Sequence, residues 1–277
     1  MKLATKIVAA VGLVAMLATK PLVAGDGKTF KEKVVIEEET KWWGAALSTG
    51  WDSLYMFRGV NVLRGNSSYG SGIYWTDLSF TWNMTENDFL TVGSWVAFGT
   101  QNSSYKELDV YTNYTHTFGD FAVSFGYIFY YVWSSPLYSH ELNVKGAYTF
   151  NLPAGITITP SLTYFFNLGP DTGEDQGIAP SASSYLLARI DAGVPIYKDI
   201  ISLAPWIGFG TNFQYNANQD GNFFNGANNL ELGIGVPIKI NDTITLYGYG
   251  AYSNQWYDLV GTRPSTFWGG AKVTFAF

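Results

Sequence analysis

One pattern limits this chain more than any other: side-chain character alternates with a period of two over stretches too long for an ordinary sheet. In 121–133, FAVSFGYIFYYVW, the odd positions are Phe121, Val123, Phe125, Tyr127, Phe129, Tyr131 and Trp133, while the even ones begin Ala122, Ser124 and Gly126. Successive residues of a strand point to opposite faces. One face is therefore large, apolar and aromatic-ended, and the other starts small and polar. A soluble half-buried strand alternates too, but this run is 13 residues long with aromatics at both ends. A strand that crosses a bilayer needs about 9–11 residues at a tilt of about 45°.

Similar runs recur near 43–57, 70–82, 88–99, 105–117, 121–133, 138–150, 155–167, 183–196, 200–215, 228–239, 243–256 and 265–277. The pattern predicts an all-β fold, a transmembrane antiparallel up-and-down β-barrel of twelve strands, an even number as bacterial single-chain barrels have. The links support it. The even-numbered ones are short (83–87, 118–120, 151–154, 197–199, 240–242), the first, seventh and ninth are long (58–69, 168–182, 216–227), the eleventh (257–264) is intermediate, and the third and fifth (100–104, 134–137) are brief. Outer-membrane barrels have short periplasmic turns and longer extracellular loops, so both termini are expected on the periplasmic side.

Composition closes off the competing classes. Charged residues make up 14%, against roughly 25% in typical globular chains, and aromatics 17%. Such aromatic content excludes disorder. No Cys is present, which excludes a disulfide scaffold and Cys-ligated metal. A net charge of −6 with 16 Lys and Arg argues against nucleic-acid binding.

The chain divides into three parts. Residues 1–24 read as a signal peptide: Lys2 and Lys6 are a basic start, 7–18 is an apolar core, and Val23-Ala24 precedes a cleavage point. Twelve apolar residues are too few to anchor in a bilayer. Residues 25–41 form a polar periplasmic segment, and 42–277 the outer-membrane β-barrel. The last strand ends on Phe275 and Phe277, which resembles the signal that hands such barrels to their assembly machinery. Location in the bacterial outer membrane is expected, in contact with its lipid and lipopolysaccharide. Because closure satisfies the backbone within one chain, a monomer is expected.

Charge placement tests the barrel. With each strand's outward face fixed by its apolar residues, Asp52, Asp77, Glu107, Asp109, Glu141, Lys145, Arg189, Asp191, Glu231, Lys239 and Lys272 all fall inward, and Lys106 alone breaks the rule. A midplane charge facing lipid costs roughly 2–4 kcal/mol. The inward set of Asp52, Asp77, Glu107, Asp109, Glu141, Lys145, Arg189, Asp191, Glu231 and Lys272 is expected to tune selectivity. Inward Tyr111, Tyr130, Phe165, Trp206, Tyr247 and Tyr249 either line a stacking path for a solute or fill volume. Arg58 and Arg64 in the first link either fold inward as a constriction or meet lipopolysaccharide and loop carboxylates.

The stretch Tyr55-Met56-Phe57-Arg58-Gly59-Val60-Asn61 resembles the Y-x-F-R-G-V element of the Gcw_chp family of bacterial export proteins, over the first third of the mature chain. The resemblance implies an outer-membrane barrel without an assigned activity, with this element closing the first strand. The long aromatic strands and the loops at 168–182 and 216–227 depart from that family. The strand number resembles that of nucleoside-specific and oligogalacturonate-specific channels, but no motif carries over their substrate residues.

Searches for chemistry find little. A hydrolase needs a nucleophile with a base in reach; His116 is expected outward, a poor place for a base, and His140, beside Ser139 and Glu141 at the loop rim, is the better candidate, though a lone rim histidine is more often structural or solvated. Asp171, Glu174 and Asp175, and separately Asn216, Asn218 and Asp220 before Gly221, are oxygen donors of the kind calcium uses, in what otherwise read as hydrated loops. No catalytic residue, metal ligand or cofactor is assigned. The expected function is a porin-like channel for passive diffusion of small polar solutes. The alternatives are a closed structural barrel with a surface-loop binding role, or less favourably an outer-membrane enzyme.

Overall fold

The computed structural model describes residues 42–63, 72–101, 104–133, 137–169, 179–218, 220–256 and 265–277. Its strands in chain order are β1 (Trp43–Asp52), β2 (Met56–Phe57), β3 (Val60–Asn61), β4 (Ile73–Asn83), β5 (Asp88–Gly99), β6 (Lys106–Phe118), β7 (Phe121–Val132), β8 (Leu137–Tyr148), β9 (Phe150–Asn151), β10 (Thr157–Gly169), β11 (Ser184–Tyr197), β12 (Ile201–Ala217), β13 (Phe223–Lys239), β14 (Ile244–Gln255) and β15 (Ser265–Ala276). The two-residue β9 continues β8 after a break, so twelve long strands form the wall. Each pairs antiparallel with the next, and β15 pairs with β1 from Ala46↔Ala276 to Asp52↔Gly270, closing the barrel.

The period of two decides which side chains face out. Leu78, Phe80, Val110, Leu142, Val144, Leu162, Ile190, Ile207, Ile234 and Leu246 stand exposed around the outside, with aromatics such as Trp43, Trp82, Phe118 and Tyr148 near the short turns and Trp51, Tyr74, Phe98 and Tyr138 near the opposite rim. An apolar girdle between two aromatic bands is the exterior of a barrel set in lipid. The rim with the short turns is called here the turn end, and the other the loop end.

Two segments depart from the sequence-based expectation. First, β1 stops at Asp52 and not at residue 57. The Tyr55–Val60 element does not close the first strand. It leaves the wall, and β2 and β3 pair as a small hairpin packed inside the barrel. Second, 216–227 is not a long loop. β12 and β13 run 17 residues each, and just beyond them the Asn218 amide donates to the Asn222 carbonyl at 2.9 Å. Composition misleads here because the asparagines read as loop formers, whereas Asn212 spends its side chain on strand backbone. Its Nδ2 donates to the Asn216 and Phe224 carbonyls, and its Oδ1 accepts from the Tyr215 and Asn216 amides. That satisfies the groups freed where the register shifts between Phe213 and Ala217.

Candidate functional site

The interior at the loop end is organised around the inward hairpin. Its tip is the pair Arg58-Gly59, both at positive φ, 49° and 81°, the arrangement that two-residue hairpin loops favour. Gly59 meets this demand freely, and a Cβ there would lie 2.8 Å from Asn229 Cγ. Arg58 meets it at a cost of roughly 1–2 kcal/mol, which its side-chain contacts offset.

Those contacts are extensive. Arg58 Nη1 and Nη2 donate to Glu141 Oε2 and Oε1 at 2.5 and 2.6 Å, a bidentate pair with both side chains 1% exposed. The guanidinium carbon lies 4.6, 4.0, 5.5 and 4.5 Å from the ring centres of Phe57, Phe165, Tyr185 and Tyr215. Burial is the largest influence on the Arg58 pKa and disfavours the charge, but the remaining contacts, Glu141 first among them, together hold it above its usual value. Tyr215 and Tyr130 complete Glu141 with hydroxyl donors at 3.0 and 3.2 Å. The hairpin backbone is held from the other side. The Arg58 carbonyl accepts from Asn216 and Asn228 Nδ2, and the Gly59 carbonyl from Gln255 Nε2 at 2.6 Å. On the near side Tyr55 donates to Glu107 Oε2 at 2.6 Å, and burial, followed by the charge of Glu107, raises its phenol pKa. The hairpin thus bonds to β6, β8, β12, β13 and β14 and crosses the interior from one wall to the other.

Of the two arginines expected in the first link, Arg58 lies inside the barrel and Arg64 lies outside the described residues. The sequence did not single out Tyr55, Phe57, Tyr185, Tyr215, Asn216, Asn228 or Gln255 for this site. Between Phe57 and Val60, Gly59 is the one turn-forming residue, and Arg-Gly is not a dipeptide that marks a two-residue hairpin.

The inward acids and inward aromatics, which the sequence treats as separate sets, are partners. Asp52 accepts from Trp75 Nε1 and the Tyr249 hydroxyl at 2.9 and 2.7 Å. Asp77 accepts from Tyr111 at 2.7 Å, Glu107 also from Tyr105 at 2.6 Å, and Glu231 from Trp206 Nε1 at 2.8 Å. Aromatic O–H and N–H donors thus hold each of these carboxyl groups in place. Asp109 is fully buried on the same face of β6 as Glu107. Arg189 is bound by Asp191 on its own strand, with Nη2 to Oδ1 at 2.8 Å, approaches Glu231 at 3.8 Å, and lies 5.2 Å from the Trp206 ring. Lys272 Nζ sits 5.4 Å from the Tyr247 ring. Lys145 is half-buried on the inward face of β8.

Glycines make room for the flat rings. A Cβ on Gly233 would stand 1.9 Å from Trp206 Cζ2, and one on Gly235 2.0 Å from the Tyr247 hydroxyl. These rings lie across bare backbone of a neighbouring strand, which keeps them close to the wall.

The histidines stand on the outside. His140 Nδ1 is 2.5 Å from the Tyr127 hydroxyl, and His116 Nδ1 is 2.7 Å from Asp88 Oδ1 at the turn end. Asp88 is an outward acid that the sequence reading did not flag. Asn218 Oδ1 accepts from the Asp220 and Asn222 amides and caps the turn, while Asp171, Glu174 and Asp175 lie outside the described residues. Among the described residues no group of three or more His, Cys, Asp or Glu is placed to hold a metal ion.

The same architecture occurs among solved structures. An outer membrane channel from Pseudomonas putida F1 aligns with a TM-score of 0.56 at 10% identity, covering 87% of this chain and 97% of that one. A NanC porin aligns with a TM-score of 0.53 at 13% identity, covering 83% and 98%. The fold is that of porin-type barrels. No family model and no curated protein matches the chain, so the likeness to the Gcw_chp family rests on residues 55–61.

Proposed function

We propose that this protein is an outer-membrane channel for small polar solutes, and that the inward hairpin of residues 53–63 is its constriction. The observation that carries this reading is the hairpin's span. An apolar-coated barrel with a charged interior carries a segment of its own first link across that interior, anchored on both sides. A purely structural barrel needs no such element, whereas a channel uses one to set the size and charge of what passes. The names of the two fold neighbours, a channel and a porin, agree with it. On this reading Arg58 with Glu107, Asp109 and Glu141 sets selectivity at the constriction, and Asp52, Asp77, Lys145, Arg189, Asp191, Glu231 and Lys272 act along the rest of the interior. The net acidity favours cations and neutral solutes over anions.

The accompanying expectations stand as proposals. Residues 1–24 direct export and are removed near Ala24, Phe277 engages the assembly machinery, and a single copy conducts within lipid and lipopolysaccharide. One observation favours a second reading. The hairpin's polar contacts are buried on every side, as in a barrel held closed at its loop end. Conductance of the purified protein in a planar bilayer under asymmetric salt separates the two. Steady current with a cation-leaning reversal potential supports the channel, anion preference refutes the charge assignment, and silence from a correctly folded barrel refutes the channel.

A further inference from the structure

The contacts of Arg58 divide into those that travel with the hairpin and those that stay with the wall. Only Phe57 moves with it. Glu141 on β8, Phe165 on β10, Tyr185 on β11 and Tyr215 on β12 belong to the barrel, and their arrangement is held without Arg58. Tyr185 donates to Asn229 Oδ1 at 2.9 Å. Phe165 packs on Tyr185 and Tyr185 on Tyr215, with ring centres 6.3 and 6.1 Å apart. Asn212 fixes the backbone of Tyr215, whose hydroxyl, with that of Tyr130, orients the Glu141 carboxylate. A carboxylate presented edge-on beside three aromatic faces is a receptor for a flat organic cation. The rings attract positive charge through their quadrupoles, and the carboxylate takes two parallel N–H bonds.

We propose that this cage is a ligand site, that Arg58 is its built-in occupant, and that a guanidinium-bearing solute takes the same place when Arg58 is absent or withdrawn. The inference rests on the reading of residues 53–63 as a channel constriction and names the solute class that the constriction recognises. Two features show that Arg58 is not a perfect occupant. Its backbone is left-handed, at φ 49°, and its Nε–H is buried without an acceptor. A free guanidinium has no left-handed backbone to strain. A primary ammonium is a poorer ligand because a point charge does not match the two-oxygen edge of Glu141.

The test is chemical rescue in the full-length protein purified from membranes. Arg58→Gly empties the cage and suits the positive φ of the turn, and Arg58→Ala is the second variant. Thermal unfolding is followed by heat-modifiable gel mobility while methylguanidinium chloride is titrated against sodium chloride at equal ionic strength. The expected result is a lowered unfolding temperature that methylguanidinium restores by at least half. Half-saturation is expected at ~1 mM, a reasonable affinity for so small a ligand. Methylammonium is expected to be at least tenfold weaker, and restoration to vanish in Arg58→Gly/Glu141→Gln. If neither single variant folds alone, a folding yield restored by methylguanidinium supports the proposal and an unchanged yield overturns it. Absence of saturable restoration in both variants, or equal restoration by sodium, also overturns it. Conductance is recorded separately. Saturable binding without conductance keeps the cage and removes the channel, while conductance without binding keeps the channel and removes the cage.

Discussion

Replacing Glu141 by Gln tests the central contact most directly. In the native barrel Glu141 receives two bonds from Arg58 and one each from Tyr130 and Tyr215, and neither charge of the pair reaches solvent. The amide keeps the shape, removes the negative charge and turns an NH₂ toward groups that are themselves donors. Leaving one partner of a buried ion pair uncompensated costs about 3–5 kcal/mol. The chain has a way out of that penalty, because the hairpin can withdraw and return Arg58 to water. Withdrawal forfeits the Tyr55–Glu107 bond and the carbonyl contacts to Asn216, Asn228 and Gln255, but it is no longer opposed by the ion pair. At about 1.4 kcal/mol per factor of ten, a loss near 4 kcal/mol shifts the balance of hairpin-in to hairpin-out by roughly a thousandfold. Single-channel recording of Glu141→Gln should therefore show larger or fluctuating conductance, and the unfolding temperature should fall. An unchanged trace together with an unchanged unfolding temperature would refute the reasoning, since it would mean that the pair neither holds the hairpin nor stabilises the barrel.

Three further outcomes follow from other contacts. Gly59→Val puts a branched side chain at φ 81° and against Asn229. It should weaken hairpin closure by about 1–3 kcal/mol, seen as increased conductance with Arg58 and Glu141 intact, and normal conductance would contradict it. Gly233→Ala drives a methyl into Trp206 and displaces its bond to Glu231. It should cost about 1–3 kcal/mol with a shifted tryptophan emission, and an unshifted spectrum would show that the ring does not lie over Gly233. Leu142, 44% exposed, faces outward beside the inward Asn143. Leu142→Arg should lose about 2–4 kcal/mol in lipid bilayers, and Asn143→Arg much less. The reverse order would mean the strand faces are swapped.

Much of this was legible in one dimension. The strands and their faces follow from a local rule, since neighbouring side chains of an extended chain alternate sides whatever the rest of the protein does. Asp77 beside Leu78, or Asn143 beside Leu142, is assigned by parity alone. Even the terminal pairing of β15 with β1 is implied once the strand count is even and no edge can be left open in lipid. The misread segment is one where polar residues serve backbone and not solvent: 216–227 looks like a loop, yet Asn216 and Asn225 lie in β12 and β13.

Tertiary structure decided what happens inside. Gly59 permits a turn but does not set its direction, because inward and outward paths satisfy the same local dihedrals. The inward path is chosen by partners 83 residues away at Glu141 and 170 away at Asn228, which meet only after the barrel closes. The same holds for the cage around Arg58, whose rings come one each from β10, β11 and β12. No spacing in the sequence encodes them as a set, because what brings them together is the register between strands and the curvature of the closed wall.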